Sequence, residues 1–391
     1  MKPNPLGRPI RLLSVYPTFW PRQGGGQMVL AAIAQGLSKE ITTTVLTRQL
    51  HDTPKRQQYE YLSVERFWNP APAVWKEYAT GVQAVPFWKR YLVTGIDILC
   101  SLMPLRRLMS QSDLVHLHFP LPLGVSILMA RALVKRPLVV TVHGNADVYE
   151  LPRAIEPVTR AVLTRADAVV SVSHDLADYL QRVMRVPDVT VIPNGVDVDE
   201  FQPGPGATGT LHLFSVSRLV PRKNIDVLIA AVEQLVNEGA PLSLSIAGTG
   251  PEEAKLRRLA EERPGFIRFL GFIDEARKRA VLTETDVFVQ LSIREGLSIA
   301  TLEALASGVP CVVSDLPGVR EPITPGETGW YVEDPESVPS VVAALRRVLA
   351  DRTRLPAMRE ACRADAIARY SLRAMCGGYW NVFTGLLSRR P

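Results

Sequence analysis

Two glutamates stand eight positions apart in the stretch Arg294-Glu295-Gly296-Leu297-Ser298-Ile299-Ala300-Thr301-Leu302-Glu303-Ala304-Leu305-Ala306-Ser307-Gly308-Val309-Pro310. Ionised carboxylates only accept hydrogen bonds, so they suit ligands rich in hydroxyls, as sugars are. Gly296 lets backbone come close to a ligand, and Ser298 is a good N-cap. The segment therefore reads as a loop opening into a helix, stopped by Gly308 with Pro310 behind it. A helix start of this kind offers N–H groups and a positive dipole end to a phosphate. The punctuation alone needs no ligand. Glu303, set among Leu302, Ala304 and Leu305, is an acid close to a core face and requires a partner.

A second constellation is Ser217-Arg218-Leu219-Val220-Pro221-Arg222-Lys223-Asn224. Arg218 and Lys223 put two cations into one strand-to-helix loop. Cations at a helix start oppose its dipole by ~0.3–1 kcal/mol each, a cost that a bound anion would offset. His143 follows an apolar strand and precedes Gly144, Asn145, Ala146 and Asp147, which places it for ligand contact. His116 and His118 flank Leu117 and share one sheet face by alternation; His118 is nearer the strand end, and a structural role fits it equally well. Gly24-Gly25-Gly26-Gln27 follows the first strand and could approach a phosphate, although its spacing is not G-x-G-x-x-G. Gly248-Thr249-Gly250-Pro251 looks like a nucleotide loop but lacks the third glycine. Asp197-Val198-Asp199 copies a D-x-D metal pattern inside the turn Pro193-Asn194-Gly195-Val196-Asp197, and reads as structural. Neither a metal nor a cofactor is expected.

These groups need a scaffold that delivers loops to one edge. Short β-branched runs at 10–15, 41–46, 114–117, 138–142 and 168–172 read as strands, separated by helical segments at 28–37, 157–164 and 175–183. The second half repeats this pattern, with strands at 211–216, 242–247, 267–270, 287–290 and 311–314. Helices are predicted at 225–237, 252–262, 274–284 and 299–307. Such alternation is the α/β class with parallel sheets covered on both faces. Ligands then sit beyond the carboxyl ends of strands, where the residues above lie. The Pro/Gly stretch 203–209 reads as a linker, and the apolar tail from about Ser371 carries Tyr379, Trp380 and Phe383. The segment 51–112 fits the alternation poorly. It interleaves aromatics such as Trp68 and Trp75 with basic residues, and reads as a helical insertion with core aromatics rather than as an amphipathic membrane surface.

The 391 residues suggest two or three domains, and 47% hydrophobic with 21% charged residues is a globular composition. A net charge of +6 suits phosphates or an anionic surface and is too diffuse for nucleic acid. Four separated cysteines with no C-x-x-C pair indicate no zinc site and a reducing compartment. No leader-like apolar region opens the chain, and no apolar run reaches the ~20 residues of a membrane span. A cytoplasmic protein is expected, with the inner membrane face as a possible station.

Taken in order, these residues resemble glycosyltransferase family 4, the retaining enzymes of the GT-B fold. The resemblance runs from Ile10 to about Phe383. It rests on the early Gly-Gly loop, Thr141-Val142-His143-Gly144, Ile192-Pro193-Asn194-Gly195-Val196-Asp197, Ser217-Arg218 with Lys223-Asn224, Ala247-Gly248-Thr249-Gly250-Pro251, and the E-x7-E spacing of Glu295 and Glu303. It implies two Rossmann-like doubly wound domains facing across a cleft. Residues 1–200 form the acceptor side, 201–371 bind the nucleotide sugar, and 372–391 form a helix returning to the first domain.

By the same resemblance, Gly24 and Gly25 face the donor. Arg218 and Lys223 grip a diphosphate with the amides of Leu297 and Ser298, beside Gly296. Glu295 contacts the donor sugar and Glu303 the ribose. Gly271, Phe272 and Ile273 border the base, and His143 sits near sugar and acceptor. His118 and Asp147 are candidates on the acceptor side. The implied reaction is metal-independent transfer from a UDP- or GDP-sugar to a hydroxyl of a glycan, lipid-linked or small-molecule acceptor. The loop reads Gly296-Leu297-Ser298-Ile299-Ala300 where the family more often has G-F-G-L-P. A nucleotide-sugar epimerase of the same fold and a non-catalytic sugar-nucleotide binder are the alternatives.

Overall fold

The computed structural model describes residues 3–20, 24–50, 53–70, 87–144, 148, 152–206, 209–261 and 265–389. The candidate Asp147 lies outside them. The chain divides into two compact units, Met1–Asn194 with Leu372–Pro391, and Gly195–Ser371.

The first unit contains β1 (Ile10–Val15), α1 (Gly25–Gly36), β2 (Ile41–Arg48), β3 (Arg56–Gln58), β4 (Leu62–Phe67), α2 (Phe87–Gln111) and β5 (Leu114–His118). It continues with α3 (Leu123–Arg131), β6 (Leu138–Val142), α4 (Glu156–Thr164), β7 (Ala168–Ser171), α5 (His174–Arg182) and β8 (Val189–Val191). Its sheet runs β3-β4-β2-β1-β5-β6-β7-β8. Every pairing is parallel except β3 with β4. β5 and β6 are buried along their whole length, as a parallel strand covered on both faces must be.

The second unit contains β9 (Leu211–Val216), α6 (Ile225–Asn237), β10 (Leu242–Ala247), α7 (Glu253–Glu261), β11 (Ile267–Gly271), α8 (Glu275–Thr283), β12 (Val287–Gln290) and α9 (Ile299–Ala306). β13 (Cys311–Ser314), β14 (Gly329–Val332), α10 (Val338–Ala350) and α11 (Leu355–Arg369) complete it. The all-parallel sheet runs β11-β10-β9-β12-β13-β14. Its core joins Leu213, Ile246 and Val289 of the strands to Leu228, Val232 and Leu345 of the helices. The last helix, α12 (Leu372–Ser388), belongs to the first unit and packs on α1. Gly36 allows this contact: a Cβ there would stand 2.6 Å from Cys376 Sγ.

Three expectations change. The segment 51–112 is not all helical insertion, because β3 and β4 extend the sheet inside it. Phe67 is buried there, whereas Trp68 is 65% exposed. Residues 203–206 are no linker. Arg363 Nη1 donates to the Phe201 carbonyl at 2.6 Å, and a Cβ on Gly204 would fall 1.7 Å from the Thr283 carbonyl, so this stretch is packed onto the second unit. The glycines after β1 are not all loop, since Gly24 is the extended N-cap and Gly25 the first residue of α1.

Candidate active site

In the second unit, β9 and β12 are neighbours from which the sheet grows in opposite directions, to β10 and to β13. Such a reversal leaves a crevice at the carboxyl ends of the two strands. The loop after β9 carries Arg218 and Lys223, and the loop after β12 carries Glu295. The two loops are fastened together. Asn224, in the left-handed region at φ 51°, donates from Nδ2 to the Leu291 carbonyl at 3.1 Å. The Ile293 amide donates to the Arg222 carbonyl at 3.1 Å. Asparagine is one of the few side-chain-bearing residues that accept this conformation readily.

The Lys223 ammonium is paired directly with Glu295 Oε1. Both side chains keep some exposure, 11% and 19%, so the pair is within reach of a ligand. Arg218 is exposed on the same loop as Lys223. The glycines of 248–250 have a different task from the one their pattern suggests. Gly248 has φ 121°, and its Cβ would lie 1.8 Å from the Ser217 carbonyl; that of Gly250 would lie 2.1 Å from the Leu219 carbonyl. They let the Arg218 loop lie flat on β10, where the Ser217 amide donates to Ala247 (3.1 Å) and the Leu219 amide to Thr249 (2.9 Å).

Ser298 caps α9, its Oγ accepting from the Thr301 amide at 3.3 Å. Gly296, Leu297 and Ser298 are all buried. Glu303 is 2% exposed and finds the partner it requires in Lys278, whose Nζ is 2.8 Å from both carboxylate oxygens. Burial pushes Glu303 up to about 7 against the pull of Lys278. Lys278 was not legible as a site residue, since it lies in the polar repeat of α8. Gly271, at φ 65°, ends β11, and its carbonyl accepts from the Gly248 amide at 2.7 Å. Phe272 is 73% exposed beside Ile273, in a groove shared with Phe269 and Arg277.

In the first unit the sheet reverses between β1 and β5. His118 ends β5 and His143 follows β6; His118 Nδ1 and His143 Nε2 share a hydrogen bond at 2.9 Å. His116 Nε2 meets Thr141 Oγ1 at 2.8 Å, and Thr141 Oγ1 meets the Tyr379 hydroxyl of α12 at 3.2 Å. Phe119 holds φ 71°, unusual for an aromatic residue, and its ring stands edge-on to Tyr16 at 5.2 Å. Gly26 leaves room for these two rings, since its Cβ would be 2.5 Å from the Tyr16 hydroxyl. His118, expected on the acceptor side, is fully buried and holds His143 through its Nδ1.

Burial holds His116 and His143 down at about 3, and lowers His118 with them. Below about pH 6.5 the unfolded chain takes up these protons while the folded chain does not. Stability therefore falls as pH drops from about 6.5 towards 3, by up to ~1.4 kcal/mol per histidine for each pH unit. Denaturant unfolding at pH 7.5 and pH 5 should show this loss, and His116→Gln should make the pH slope shallower.

Residues 198–369 match the family model "Glycosyl transferases group 1", and residues 23–200 match "Glycosyltransferase Family 4". Over 280 residues the chain is 31% identical to a phosphatidyl-myo-inositol mannosyltransferase of Mycobacterium leprae, covering 69% of this chain and 73% of that one. The chain belongs to glycosyltransferase family 4. Its fold is GT-B: a sucrose-phosphate synthase from Thermosynechococcus elongatus superposes with a TM-score of 0.82 at 19% identity, over 97% of this chain and all of that one. An Anabaena protein solved with UDP and glucose gives 0.75 at 17% identity, over 96% and 99%. As a member of this family, the protein is a nucleotide-sugar-dependent glycosyltransferase.

Proposed function

We propose that the protein transfers a hexose, mannose first among them, from a nucleoside diphosphate to a hydroxyl of a lipid-linked or glycan acceptor, with retention and without a metal. The carrying observation is the Lys223–Glu295 contact at the reversal between β9 and β12. It sets a phosphate-binding cation and a sugar-binding carboxylate side by side. Arg218, Lys223 and the amides of Leu297 and Ser298 take the diphosphate, Glu295 the sugar and Glu303 the ribose. Gly271, Phe272 and Ile273 border the base. Within the first unit, Gly24, Gly25 and His143 are taken as ligand contacts of that unit. Mannose follows from the name of the mycobacterial relative.

A turnover of ~10 per second leaves a barrier of about 16 kcal/mol. One aimed donor on developing charge is worth ~2.7–4 kcal/mol, so Arg218, Lys223 and the start of α9 act together on the leaving diphosphate. The two cations supply the charge that a metal would otherwise bring. With Glu295 on the sugar hydroxyls, the acceptor attacks from the leaving-group face and its proton passes to the departing phosphate oxygen. Thermal shifts with GDP, GDP-mannose, UDP and UDP-glucose test the donor. The matching nucleotide at about 100 times Kd should add ~2.7 kcal/mol of stability. An inverted anomeric configuration in the NMR spectrum of the product would overturn the stereochemistry proposed here.

No helix among the described residues is long and apolar enough to cross a membrane. A lipid-linked acceptor would be met at the surface of one. Leu99 (69% exposed) and Met103 (84%) stand one helical turn apart on α2 and, with Trp68, supply apolar contact. Cosedimentation with anionic vesicles should weaken in Leu99→Ser/Met103→Ser.

A further inference from the structure

Gln290 is the last residue of β12, 5% exposed, and no motif drew attention to it. Its side-chain oxygen accepts from two hydroxyls, Ser298 Oγ at 2.6 Å and Thr301 Oγ1 at 2.9 Å. Its nitrogen donates to Ser292 Oγ at 3.2 Å and to Glu295 Oε1 at 3.3 Å. This orientation is forced. An ionised carboxylate cannot donate, so only the amide nitrogen can face Glu295, and the oxygen must face the hydroxyls. Ser298 completes the chain in both directions, because the Oγ that donates to Gln290 also accepts from the Thr301 amide as the cap of α9. One buried amide thus ties the end of a core strand to the Glu295 carboxylate and to the first turn of α9.

We propose that Gln290 is a positioning residue for the transfer reaction, setting the Glu295 carboxylate for the donor sugar and fixing it to the start of α9. Lys223 cannot do this alone. In the function proposed above, on which this inference rests, its ammonium must also serve the diphosphate, whereas the amide of Gln290 has no phosphate to attend to. A carboxylate held on one oxygen by a strand-end amide stays in register while its other partner is shared with the ligand. Glu295 itself meets the sugar, and Gln290 acts through it.

The test uses the full chain and three variants, Q290L, Q290E and E295Q, each with GDP, UDP, GDP-mannose and UDP-glucose as probes. The nucleoside diphosphates lack the sugar, and Q290E keeps an oxygen for Ser298 and Thr301 at the start of α9, so their affinities in Q290E should match wild type by calorimetry. Turnover of the sugar nucleotide that the wild type uses should fall about 10- to 100-fold in kcat, as misplacement of a reacting contact does, with little change in KM. Q290E is decisive. It keeps an oxygen for Ser298 and Thr301 but sets a second carboxylate against Glu295, so its loss should equal or exceed that of Q290L. If Q290E retains wild-type kcat, or if it loses nucleoside diphosphate affinity in parallel with kcat, Gln290 is only a structural link and the inference is overturned. If E295Q turns over at the wild-type rate, the site assignment fails instead; a damaged E295Q beside an intact Q290E sinks only the role of Gln290.

Discussion

Lys223→Ala should lower kcat about 10²–10³-fold, and the double variant Arg218→Ala/Lys223→Ala should fall further and lose affinity for the nucleoside diphosphate. The single loss corresponds to removing one aimed donor from the charge that develops on the leaving group. Lys223 is the stronger of the two tests because its place is defined from both sides. Its backbone ends the short turn of Pro221–Lys223, and the Asn224 that follows is pinned to the Leu291 carbonyl. Its ammonium rests on Glu295. Removing it also takes one of two partners from Glu295 and leaves Gln290 as the other, so sugar positioning suffers with phosphate binding. The pair is largely buried, at 11% and 19% exposure, so the substitution should also cost ~1–3 kcal/mol of stability through the partner that Glu295 loses. Steady-state kinetics with an unfolding curve beside them check this. A wild-type kcat in Lys223→Ala would remove the diphosphate site from this loop.

Gly318→Ala should be nearly as damaging without touching a ligand. Gly318 holds φ 74°, and a Cβ there would lie 2.4 Å from the Glu295 carbonyl and 2.6 Å from that of Gly296. Those contacts are backbone, so the Glu295 loop itself must move. A shift approaching 1 Å at a reacting contact costs ~10²-fold in rate. The left-handed conformation adds ~1–3 kcal/mol of strain. Gly239→Ala separates the two effects. Gly239 has φ 90° with nothing within 4 Å of its added Cβ, so it should lose stability and keep kcat. Equal kcat in the two variants would show that the Glu295 loop tolerates displacement.

How much of this the chain announces depends on where the deciding force acts. Strands covered on both faces are short, mostly apolar runs, and β1, β6, β9, β10, β12 and β13 stand where their runs predict. β4 was hidden by Glu65 and Arg66. Arg66 is fully buried because its guanidinium donates to the carbonyls of Pro54 and Trp20 and to Gln57, partners brought from elsewhere in the chain. In the site, the charged residues were legible because a cation or an acid in a strand-to-helix loop is costly without a reason. The glycines were legible only in part. Those at 248–250 suggested phosphate and serve backbone against backbone, while Gly318 suggested nothing. Gln290, a neutral residue that orients others, gives no local signal at all, and Asn224 stands out only within the Lys223-Asn224 marker. Their roles exist only once two loops distant in sequence meet.

The last structural point concerns α12. The whole stretch from Gly195 to Ser371 is an insertion in the first unit, and its two ends meet where Val196 bridges Ser371 and its amide donates to the Tyr370 carbonyl at 2.8 Å. As the chain leaves the ribosome, the second unit is synthesised complete while the first still lacks α12. Met375, Tyr379, Trp380 and Phe383, all buried in the finished protein, are absent until the end, and so is the hydroxyl that meets Thr141. The half of the enzyme translated first is therefore the half completed last. A nascent chain has its whole second unit before the histidine array beside Tyr379 is closed.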